Sequence, residues 1–507
     1  METISYTECL KEMFALGRFG IKLEIDTIAD ILNRLGSPEK RFHSIHIAGT
    51  NGKGSIASYI ASILRCSGLR VGLYTSPHLI KFNERFCING DMVSDEDIVE
   101  SYVAVKQADV GDRRATFFEI STAMAFYLFA RENVEWAVIE TGMGGRLDAT
   151  NVLRPAVTVI SNLSIEHTEY LGETLEQIAA EKGGIIKFNT PLVTGVTQES
   201  ALTVLNKIAD QRSAPVYQYD KDFSTTLVSE LQEEPLNVSA SEKRLCPQHM
   251  GTKFTYKGLN VIWSNMETRL QGPHQIQNSA LALAACELLM ERNICGLTNR
   301  CRLTEESIRK GLSATTWPGR LEYILQKPLV VIDGAHNLDA AENLGRYLKE
   351  KYIVRYHGTT ENNSPDKDHT INDKTDFETI GCRHTDLPIQ LHIKENSHPY
   401  KLTMIIGILN DKPYKEMLTH LLPSATRVIF TKAQIDRSLD PKILRDFAVT
   451  VVSTETMIIE DVDKAVEHAI NTASESECIC IAGSLYVAGE ARDKILTDFL
   501  KDSALQS

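Results

Sequence analysis

The sequence predicts an α/β protein made of two successive units, each with a mostly parallel, buried sheet. Three observations predict this class. Short apolar runs alternate with helical segments along both halves of the chain, as in parallel sheets covered by helices. A glycine-rich segment that contains one lysine, residues 46–55, lies between a predicted strand and a predicted helix. The chain also has 507 residues, which is enough for two or three domains.

The first unit is predicted to combine buried strands with covering helices. Apolar runs predict the end of a strand at 44–46 and strands at 69–74, 136–140 and 156–161. Helical patterns occupy 56–66, 118–131, 174–186 and 277–291. Residues 220–256 are more polar and β-like, so we expect them to leave the main sheet.

A second unit is predicted to begin at Trp317-Pro318-Gly319-Arg320, where proline and glycine interrupt the pattern. We therefore expect an N-terminal domain over 1–316 and a C-terminal, doubly wound domain over 317–507. The predicted strands of this domain are 329–333, 402–408, 427–431, 450–453 and 478–482, and its predicted helices include 339–351 and 461–473.

Residues 357–400 do not fit the second unit, because they are polar and contain few apolar positions. They hold five of the 14 histidines, namely His357, His369, His384, His392 and His398. These histidines lack tight ligand spacing, so a solvated insertion is favoured over a metal site.

Composition and charge exclude several classes of function. Hydrophobic residues make up 43% of the chain and charged residues 24%, as in ordinary soluble proteins. The net charge of −13 and the lack of a dense Lys/Arg run argue against nucleic-acid binding. No apolar run suits a secretory signal or a membrane span, and ten scattered cysteines form no disulfide framework. We therefore expect a cytoplasmic protein that binds neither nucleic acid nor membrane.

The segment His46-Ile-Ala-Gly-Thr-Asn-Gly-Lys-Gly-Ser55 predicts a phosphate cradle for a nucleoside triphosphate. Glycines let the backbone approach an anion closely, and amide groups at the start of the following helix point towards it. Lys53 supplies a positive charge for the outer phosphates, and Ser55 offers a hydroxyl to magnesium. The motif differs from the common P-loop, because Gly54 separates Lys53 from the hydroxyl residue Ser55. A plain glycine-rich turn is the alternative, but it does not explain the lysine.

Polar side chains follow three predicted strands at their carboxyl ends, where an open α/β sheet binds its ligands. Glu140 suits magnesium, which prefers oxygen ligands; the alternative is a carboxylate bonded to the glycine-rich loop behind it. His167 lies past the next strand, beside Glu166, and a structural histidine is the alternative. Ser76 has an oxygen for a metal ion, although the sequence alone slightly favours a Ser-Pro turn.

Further polar residues are predicted to complete a ligand cleft. Lys182 lies in a predicted helix, where an exposed ion pair is the default interpretation. Asn278 lies at the start of another helix, and its side-chain amide is suited to hydrogen-bond the edge of an adenine base. Asp333 and His336 close the first strand of the second unit and so face a crevice. Arg320 lies at the junction, from which a guanidinium reaches phosphates across the cleft.

Together these segments resemble the dihydrofolate synthase/folylpolyglutamate synthase family of the Mur ligase superfamily. The matching motifs follow the family's order along nearly the whole chain: G-T-N-G-K-G-S at Gly49, T-S-P-H at Thr75, E-T-G-M-G-G-R-L-D-A-T-N at Glu140, H-T-E-Y-L-G at His167, E-K-G-G-I-I-K at Glu181, H-Q-I-Q-N at His274, W-P-G-R-L at Trp317, D-G-A-H-N at Asp333 and G-S-L-Y at Gly483. The resemblance implies an N-terminal P-loop ATPase domain and a C-terminal Rossmann-like domain, with the active site between them. It also implies a monomer that uses ATP to join L-glutamate to dihydropteroate or to a folate.

The resemblance assigns roles to individual residues. Ser76, Glu140 and His167 match the family's Mg²⁺ ligands, a monovalent cation such as K⁺ can accompany them, and Lys182 matches a lysine that the family carries as a carbamate. The catalytic set is Lys53, Lys182 and His167. ATP contacts are implied at Gly49, Thr50, Asn51, Gly52, Lys53, Gly54, Ser55, Asn278, Arg320 and Asp333. Pterin and substrate contacts are implied at Gly20, Ile21, Lys22, Thr116, Phe117, Phe118, Glu119, Leu147, Asp148, Ala149 and His336, with Phe118 stacked on the pterin and Asp148 bonded to its ring nitrogens.

Three positions depart from the family's pattern. Glu166 replaces the usual aspartate, Gly183 stands where alanine is usual, and Pro413 stands where an acidic residue is common. The segment 357–400 has no counterpart in the family that we recognise.

The resulting hypothesis is a ligase that phosphorylates the pterin-linked carboxylate with ATP and lets the amine of glutamate displace phosphate. The Thr-Phe-Phe-Glu and Arg-Leu-Asp segments favour a bifunctional enzyme over one that extends folates only. A Mur-type ligase for a cell-wall nucleotide is an alternative, but no uridine-recognition feature is visible. A nucleotide-binding protein without ligase activity is another, for which Glu166 and Pro413 are the only hints.

Overall fold

The computed structural model describes residues 4–16, 24–111, 113–231, 251–292, 303–353 and 401–500. The predictions for Gly20, Ile21 and Lys22 and for the segment 357–400 lie outside these residues. The described residues form three sheets, of eight, three and six strands, in chain order. The predicted α/β class is therefore confirmed.

The first sheet is mostly parallel and has the strand order β4-β3-β2-β5-β1-β6-β7-β8. Its strands are β1 (His43–Ala48), β2 (Val71–Tyr74), β3 (Phe86–Ile88), β4 (Asp91–Met92), β5 (Trp136–Glu140), β6 (Val157–Ile160), β7 (Leu192–Thr194) and β8 (Val216–Gln218). Only the β2–β3 and β3–β4 pairs among them are antiparallel. β1 lies between β5 and β6, so the loops that follow these three strands leave the sheet at one edge.

Helices cover both faces of this sheet. They are α1 (Tyr6–Leu16), α2 (Asp26–Arg34), α3 (Lys53–Cys66), α4 (Asp95–Ala108), α5 (Phe117–Arg131), α6 (Thr168–Leu171), α7 (Leu175–Gly183), α8 (Glu199–Gln211), α9 (Pro273–Arg292) and α10 (Glu305–Ala314). Apolar residues of α3, α9 and α10 share one core with β1 and β5. Those of α1, α2, α4 and α5 form a second core on the opposite face. Both faces are therefore buried, as the apolar strand sequences predict.

The polar segment predicted to leave the main sheet does so. β9 (Ser224–Leu231), β10 (Gly251–Lys257) and β11 (Ile262–Thr268) form a separate antiparallel sheet in the order β11-β10-β9. Phe254, Tyr256 and Trp263 join the core that α9 shares with the main sheet. This small sheet therefore supports the helix that carries Asn278.

The third sheet has the order β12-β13-β17-β14-β15-β16 and is parallel except for β12. Its strands are β12 (Glu322–Gln326), β13 (Leu329–Ile332), β14 (Leu402–Ile406), β15 (Arg427–Lys432), β16 (Glu455–Asp461) and β17 (Cys478–Ala482). Its helices are α11 (Leu338–Leu348), α12 (Tyr414–Leu421), α13 (Pro441–Val451), α14 (Val462–Thr472) and α15 (Leu485–Asp498). Residues of α11, α12 and α13 pack on one face and residues of α14 and α15 on the other, which is the predicted doubly wound arrangement.

One predicted strand, 450–453, is wrong. Residues 450 and 451 end α13, and the strand follows at β16. The β-branched residues there favour a strand locally. However, α13 begins with favourable capping residues, and the helix continues through residues 450 and 451. Asp440 caps its first turn by accepting from the Lys442 amide at 2.9 Å, and Pro441 occupies the first helical position.

No helix in the described part of the chain combines the length and the apolar character needed to cross a bilayer.

Candidate active site

The predicted phosphate cradle connects β1 to α3, which begins at Lys53, three residues before the predicted start. Gly52 has φ of +82° and Gly49 has φ of +142°, conformations that favour glycine. A Cβ atom at Gly52 would lie 2.5 Å from the Asn278 side-chain oxygen, and one at Gly49 would lie 1.9 Å from Ser161 Oγ. Glycine is therefore required at both positions because the loop passes so close to α9 and to the end of β6.

The Lys53 ammonium group curls back over the loop. Its Nζ donates to the backbone carbonyls of Gly49 and Thr50, both at 3.0 Å. It also lies 4.0 Å from Glu140 Oε1. The positive charge is thus held between the loop and the carboxylate at the end of β5, where the outer phosphates of a nucleotide would lie.

Glu140 is a buried carboxylate that is only partly satisfied. The Ser76 amide donates to its Oε2 at 3.2 Å, and this is its only hydrogen bond among the described residues. Burial raises the pKa of Glu140, and Lys53 opposes that shift. Free acceptor positions on a buried carboxylate fit a hard cation. Because no group of three His, Cys, Asp or Glu side chains gathers within the described ranges, such a cation also needs oxygen from Ser76, water or phosphate.

Lys182 and Glu166 form a buried ion pair behind the loop. Lys182 Nζ donates to Glu166 Oε1 at 2.9 Å and to the Gly49 carbonyl at 2.8 Å, and the lysine is only 2% exposed. Burial lowers the pKa of Lys182 to about 8, although Glu166 opposes the shift. Burial alone would raise the pKa of Glu166, but the ammonium groups of Lys182 and Lys53 lower it to about 2. Lys182 is therefore not the exposed helix pair that its sequence neighbours suggest.

His167 follows Glu166 and takes a left-handed backbone conformation, with φ of +47°. It precedes the first turn of α6 and lines the same cavity as Glu140. Burial lowers its pKa, which favours the neutral ring that a metal ligand requires. The donor chemistry of Ser76, Glu140 and His167 therefore fits a magnesium ion.

The second unit contributes the opposite wall of the cleft. Asp333, at the end of β13, is buried and accepts from the Leu321 and Ala335 amides at 2.9 and 2.8 Å. The His336 ring contacts the Gly334 carbonyl at 2.8 Å through Nδ1, and burial lowers its pKa to about 4. Arg320 lines the cavity from the junction, as predicted.

These residues surround one cavity of about 200 Å³ between the two units. It is lined by predicted site residues from both units: Gly49, Thr50, Asn51, Gly52, Lys53, Gly54, Ser55, Ser76, Glu140, His167, Lys182, Asn278, Arg320, Asp333 and His336. The structure thus brings the predicted nucleotide and metal residues together.

Of the predicted pterin and substrate residues, His336 lines this cavity, whereas Phe118 and Asp148 lie beside it. Phe118 packs against Gly142, where an added Cβ atom would lie 2.4 Å from the Phe118 ring. The centroids of the Phe118 and Tyr74 rings are 6.2 Å apart. Asp148 is buried and accepts from the Met143 and Thr150 amides at 2.9 and 3.0 Å. The neighbouring Leu147 is partly buried and Ala149 is buried.

Glu119 and Thr116 are engaged with each other at the start of α5. Each side chain bonds the backbone amide of the other, and Glu119 also pairs with Arg113 at 2.6 Å. The sequence T-x-x-E at the start of a helix signals this capping box, which explains these two residues by helix formation alone. Phe117, between them, stacks on Phe14 with centroids 5.6 Å apart.

Several contacts that hold the loop were not predicted from the sequence. The Asn51 amide donates to Asn162 Oδ1 at 2.8 Å, and its side chain donates to Asp339 Oδ2 at 2.6 Å across the cleft. Asn337 Nδ2 donates to Asn51 Oδ1 at 3.0 Å. Asn337 ends the D-G-A-H-N motif, so its position after β13 was a signal. Nothing local in the sequence links Asp339 to residue 51.

Comparison with known proteins gives consistent matches. Residues 47–286 match the Mur ligase middle domain, and residues 392–485 match the Mur ligase glutamate ligase domain. The chain is 32% identical over 486 residues to the dihydrofolate synthase/folylpolyglutamate synthase of Bacillus subtilis (strain 168), covering 94% of this chain and 96% of that protein. The crystal structure of Thermotoga maritima folylpolyglutamate synthase has a TM-score of 0.74 at 33% identity, with 97% of each chain covered. Folylpolyglutamate synthase of Mycobacterium tuberculosis, solved as complexes with ADP and AMPPCP, has a TM-score of 0.75 at 28% identity, covering 96% of this chain and 98% of that one.

The close approach of Gly52 to Asn278 gives a test of the cradle. In Gly52→Ala, the new methyl group displaces the Asn278 side chain, so we expect the affinity for a non-hydrolysable ATP analogue to fall at least about tenfold, a loss of about 1.4 kcal/mol. Isothermal titration calorimetry measures this affinity. Gly36→Ala is the matched control, because Gly36 has φ of +79° but its Cβ would meet nothing nearer than 3.5 Å. Equal affinities of Gly52→Ala and the unaltered protein would contradict the predicted nucleotide position.

Proposed function

The chain belongs to the dihydrofolate synthase/folylpolyglutamate synthase family of Mur ligases, and we propose that it joins L-glutamate both to dihydropteroate and to reduced folates. It is an ATP-dependent ligase, and ATP is its co-substrate. The observation that carries the proposal is the shared cavity. It brings Lys53 and Glu140 of the first unit to face Asp333 and His336 of the second.

The chemistry explains why ATP is needed. A carboxylate is a poor acyl donor because oxide is a poor leaving group. Transfer of the γ-phosphoryl group to the carboxylate oxygen makes an acyl phosphate; the amine of glutamate then attacks the acyl carbon, an amide bond forms and phosphate leaves. Lys53 is placed to stabilise charge on the transferred group, and a cleft between two units limits the access of water to the intermediate.

We propose the following division of labour around the nucleotide. Asn278 contacts the adenine, Asp333 the ribose side and Arg320 the phosphates, since all three line the cavity. Ser76, Glu140 and His167 hold Mg²⁺, which neutralises phosphate charge when bound. A domain boundary at 316/317 is part of the proposal, because the apolar cores of the two units are separate clusters, although Trp317 itself packs on the core of the first unit.

The choice of acceptor is the main test. We expect ATP- and glutamate-dependent phosphate release with dihydropteroate as well as with tetrahydrofolate, because Phe118 and Asp148 contact Gly142 and Met143, which line the cavity. Product analysis by mass spectrometry identifies the new amide. Turnover with tetrahydrofolate alone would show an enzyme that only extends folates. Turnover with neither acceptor would reject the ligase and leave a nucleotide-binding protein.

Lys53→Ala tests the phosphoryl-transfer role. It removes the ammonium group that lies between the loop and Glu140, and we expect kcat for ligation to fall at least about 100-fold. Lys40→Ala is the control, since the Lys40 side chain is 75% exposed. Unchanged circular dichroism of both variants would show that folding is intact. A Lys53→Ala enzyme with near-normal kcat would refute the role.

We also propose that Lys182 is carbamylated in the working enzyme. Its Nζ lies within 2.8 Å of the Gly49 carbonyl, so a carbamate there reaches the cavity and converts a cation into an oxygen ligand. Isotope-labelled bicarbonate and NMR should detect a carbamate on Lys182. Lys187 is the internal control, because burial also lowers its pKa to about 8 while it does not line the cavity. Absence of the signal, or a signal on Lys187, would contradict the proposal.

A further inference from the structure

Arg85 is a buried arginine that has no carboxylate within ion-pair distance in the described part of the chain. It is 7% exposed, and its one hydrogen bond from the side chain runs from Nε to His78 Nδ1 at 2.9 Å. Among the described residues it forms no ion pair with a carboxylate. A guanidinium has five donor hydrogens, so most of its donor capacity is unused.

Glu84 and Glu140 favour the charged guanidinium from a distance, but neither forms an ion pair with it. Glu84 Oε1 and Oε2 accept from the backbone amides of Leu79, Ile80 and Lys81 at 2.6–2.9 Å. Glu140 Oε2 accepts from the Ser76 amide, and its Oε1 lies 4.0 Å from Lys53 Nζ. Neither carboxylate is therefore a direct partner of the guanidinium.

Aromatic rings enclose the group on its other sides. The Arg85 Cζ atom lies 5.7 Å from the centroid of Phe82 and 5.3 Å from that of Phe117. Its hydrogen-bond partner, the His78 ring, carries no negative charge. Ring faces and an imidazole lower the cost of burying the guanidinium, but they do not replace an anion.

Arg85 lies between the two ends of the proposed substrate site. Its carbonyl accepts from the Thr75 amide at 3.2 Å, next to Ser76 and the Glu140 end of the cavity. Its side chain reaches Phe117, the neighbour of the proposed pterin-stacking Phe118. Burial raises the pKa of Glu140, which lines the cavity, and the charge of Arg85 opposes that shift, so the guanidinium lies between Phe117 and the Glu140 end of the cavity.

The two acceptors differ by one anionic group at this point. Dihydropteroate has a single carboxylate, which must reach the γ-phosphoryl group to react. A folate carries a terminal glutamate whose γ-carboxylate reacts, so its α-carboxylate is left over and is desolvated when the cleft closes. A buried carboxylate needs a charged partner, and a guanidinium provides two parallel donors for it.

We propose that Arg85 binds the α-carboxylate of the terminal glutamate of a folate acceptor, and so determines specificity for folates that already carry glutamate. This rests on the proposed function, because it concerns the acceptor of that ligation. The nucleotide and the reacting carboxylate are served by other residues, so Arg85 acts on acceptor choice and not on phosphoryl transfer.

The test uses a matched pair of acceptors and a matched pair of variants. Tetrahydrofolate is compared with its analogue in which γ-aminobutyrate replaces glutamate, because the analogue keeps the reacting carboxylate and lacks only the α-carboxylate. For the unaltered enzyme we expect KM for the analogue to be about 10- to 100-fold higher than KM for tetrahydrofolate, the size of a lost charged hydrogen bond. Arg85→Gln should raise KM for tetrahydrofolate to that of the analogue and leave the analogue's KM and kcat unchanged. Arg85→Lys should restore part of the preference.

The controls separate this role from a structural one. Arg445→Gln, on α13 with the Arg445 side chain 42% exposed, should keep the preference of the unaltered enzyme. Equal losses with both acceptors in Arg85→Gln would indicate a purely structural arginine and overturn the inference, as would a preference that survives the substitution. An unaltered enzyme that ligates neither acceptor would instead reject the proposed function.

Discussion

The parallel pairing of β1 with β5 on one side and β6 on the other is the constraint on which the whole site depends. In this register Ile47 lies opposite Glu140, and Ala48 lies opposite Ile160. The phosphate loop, the Glu140 carboxylate and the segment that leads to His167 therefore leave the sheet side by side. A slip of one residue between β1 and β5 would turn Glu140 to the other face of the sheet and away from Lys53.

This edge gathers charges that are costly to bury, and the structure places them as neighbours of opposite sign. Lys53 lies near Glu140, and Lys182 is bonded to Glu166. Removing one member of the Lys182–Glu166 pair leaves an uncompensated buried charge, at about 3–5 kcal/mol. These charges are thus compensated before any ligand binds. Arg85 is the exception, since its guanidinium is buried but, among the described residues, has only His78 as a hydrogen-bond partner.

Local patterns in the sequence were sufficient for the parallel strands that lead to the cavity, but β3, β4, β7, β8 and β12 were not predicted. β5 and β17 have the predicted bounds, because each is a short apolar run with a clear break on both sides. Where local preference competes with a stronger neighbouring signal, as at 450–453, prediction failed. The contacts of Asn51 with Asp339 were out of reach for another reason: they join residues almost 300 positions apart (288). Arg85 gave no signal either, because an arginine in a sequence does not reveal whether it is paired.

The two units are joined across the cleft by contacts of unequal kind. On one side Leu79 packs on the apolar core of the second unit, and Gly489 of α15 approaches it so closely that a Cβ atom would lie 2.1 Å from the Leu79 carbonyl oxygen. On the other side Asn51 is bonded to Asn337 and Asp339. Polar partners exchange with water at a net cost of about 1 kcal/mol each, whereas separating a close-packed apolar contact exposes apolar surface to water. The free energy needed to separate the units is therefore lowest on the Asn51 side, which is the side that holds the phosphate loop. The hydrogen bonds that align α11 with the loop must break before the cavity opens there.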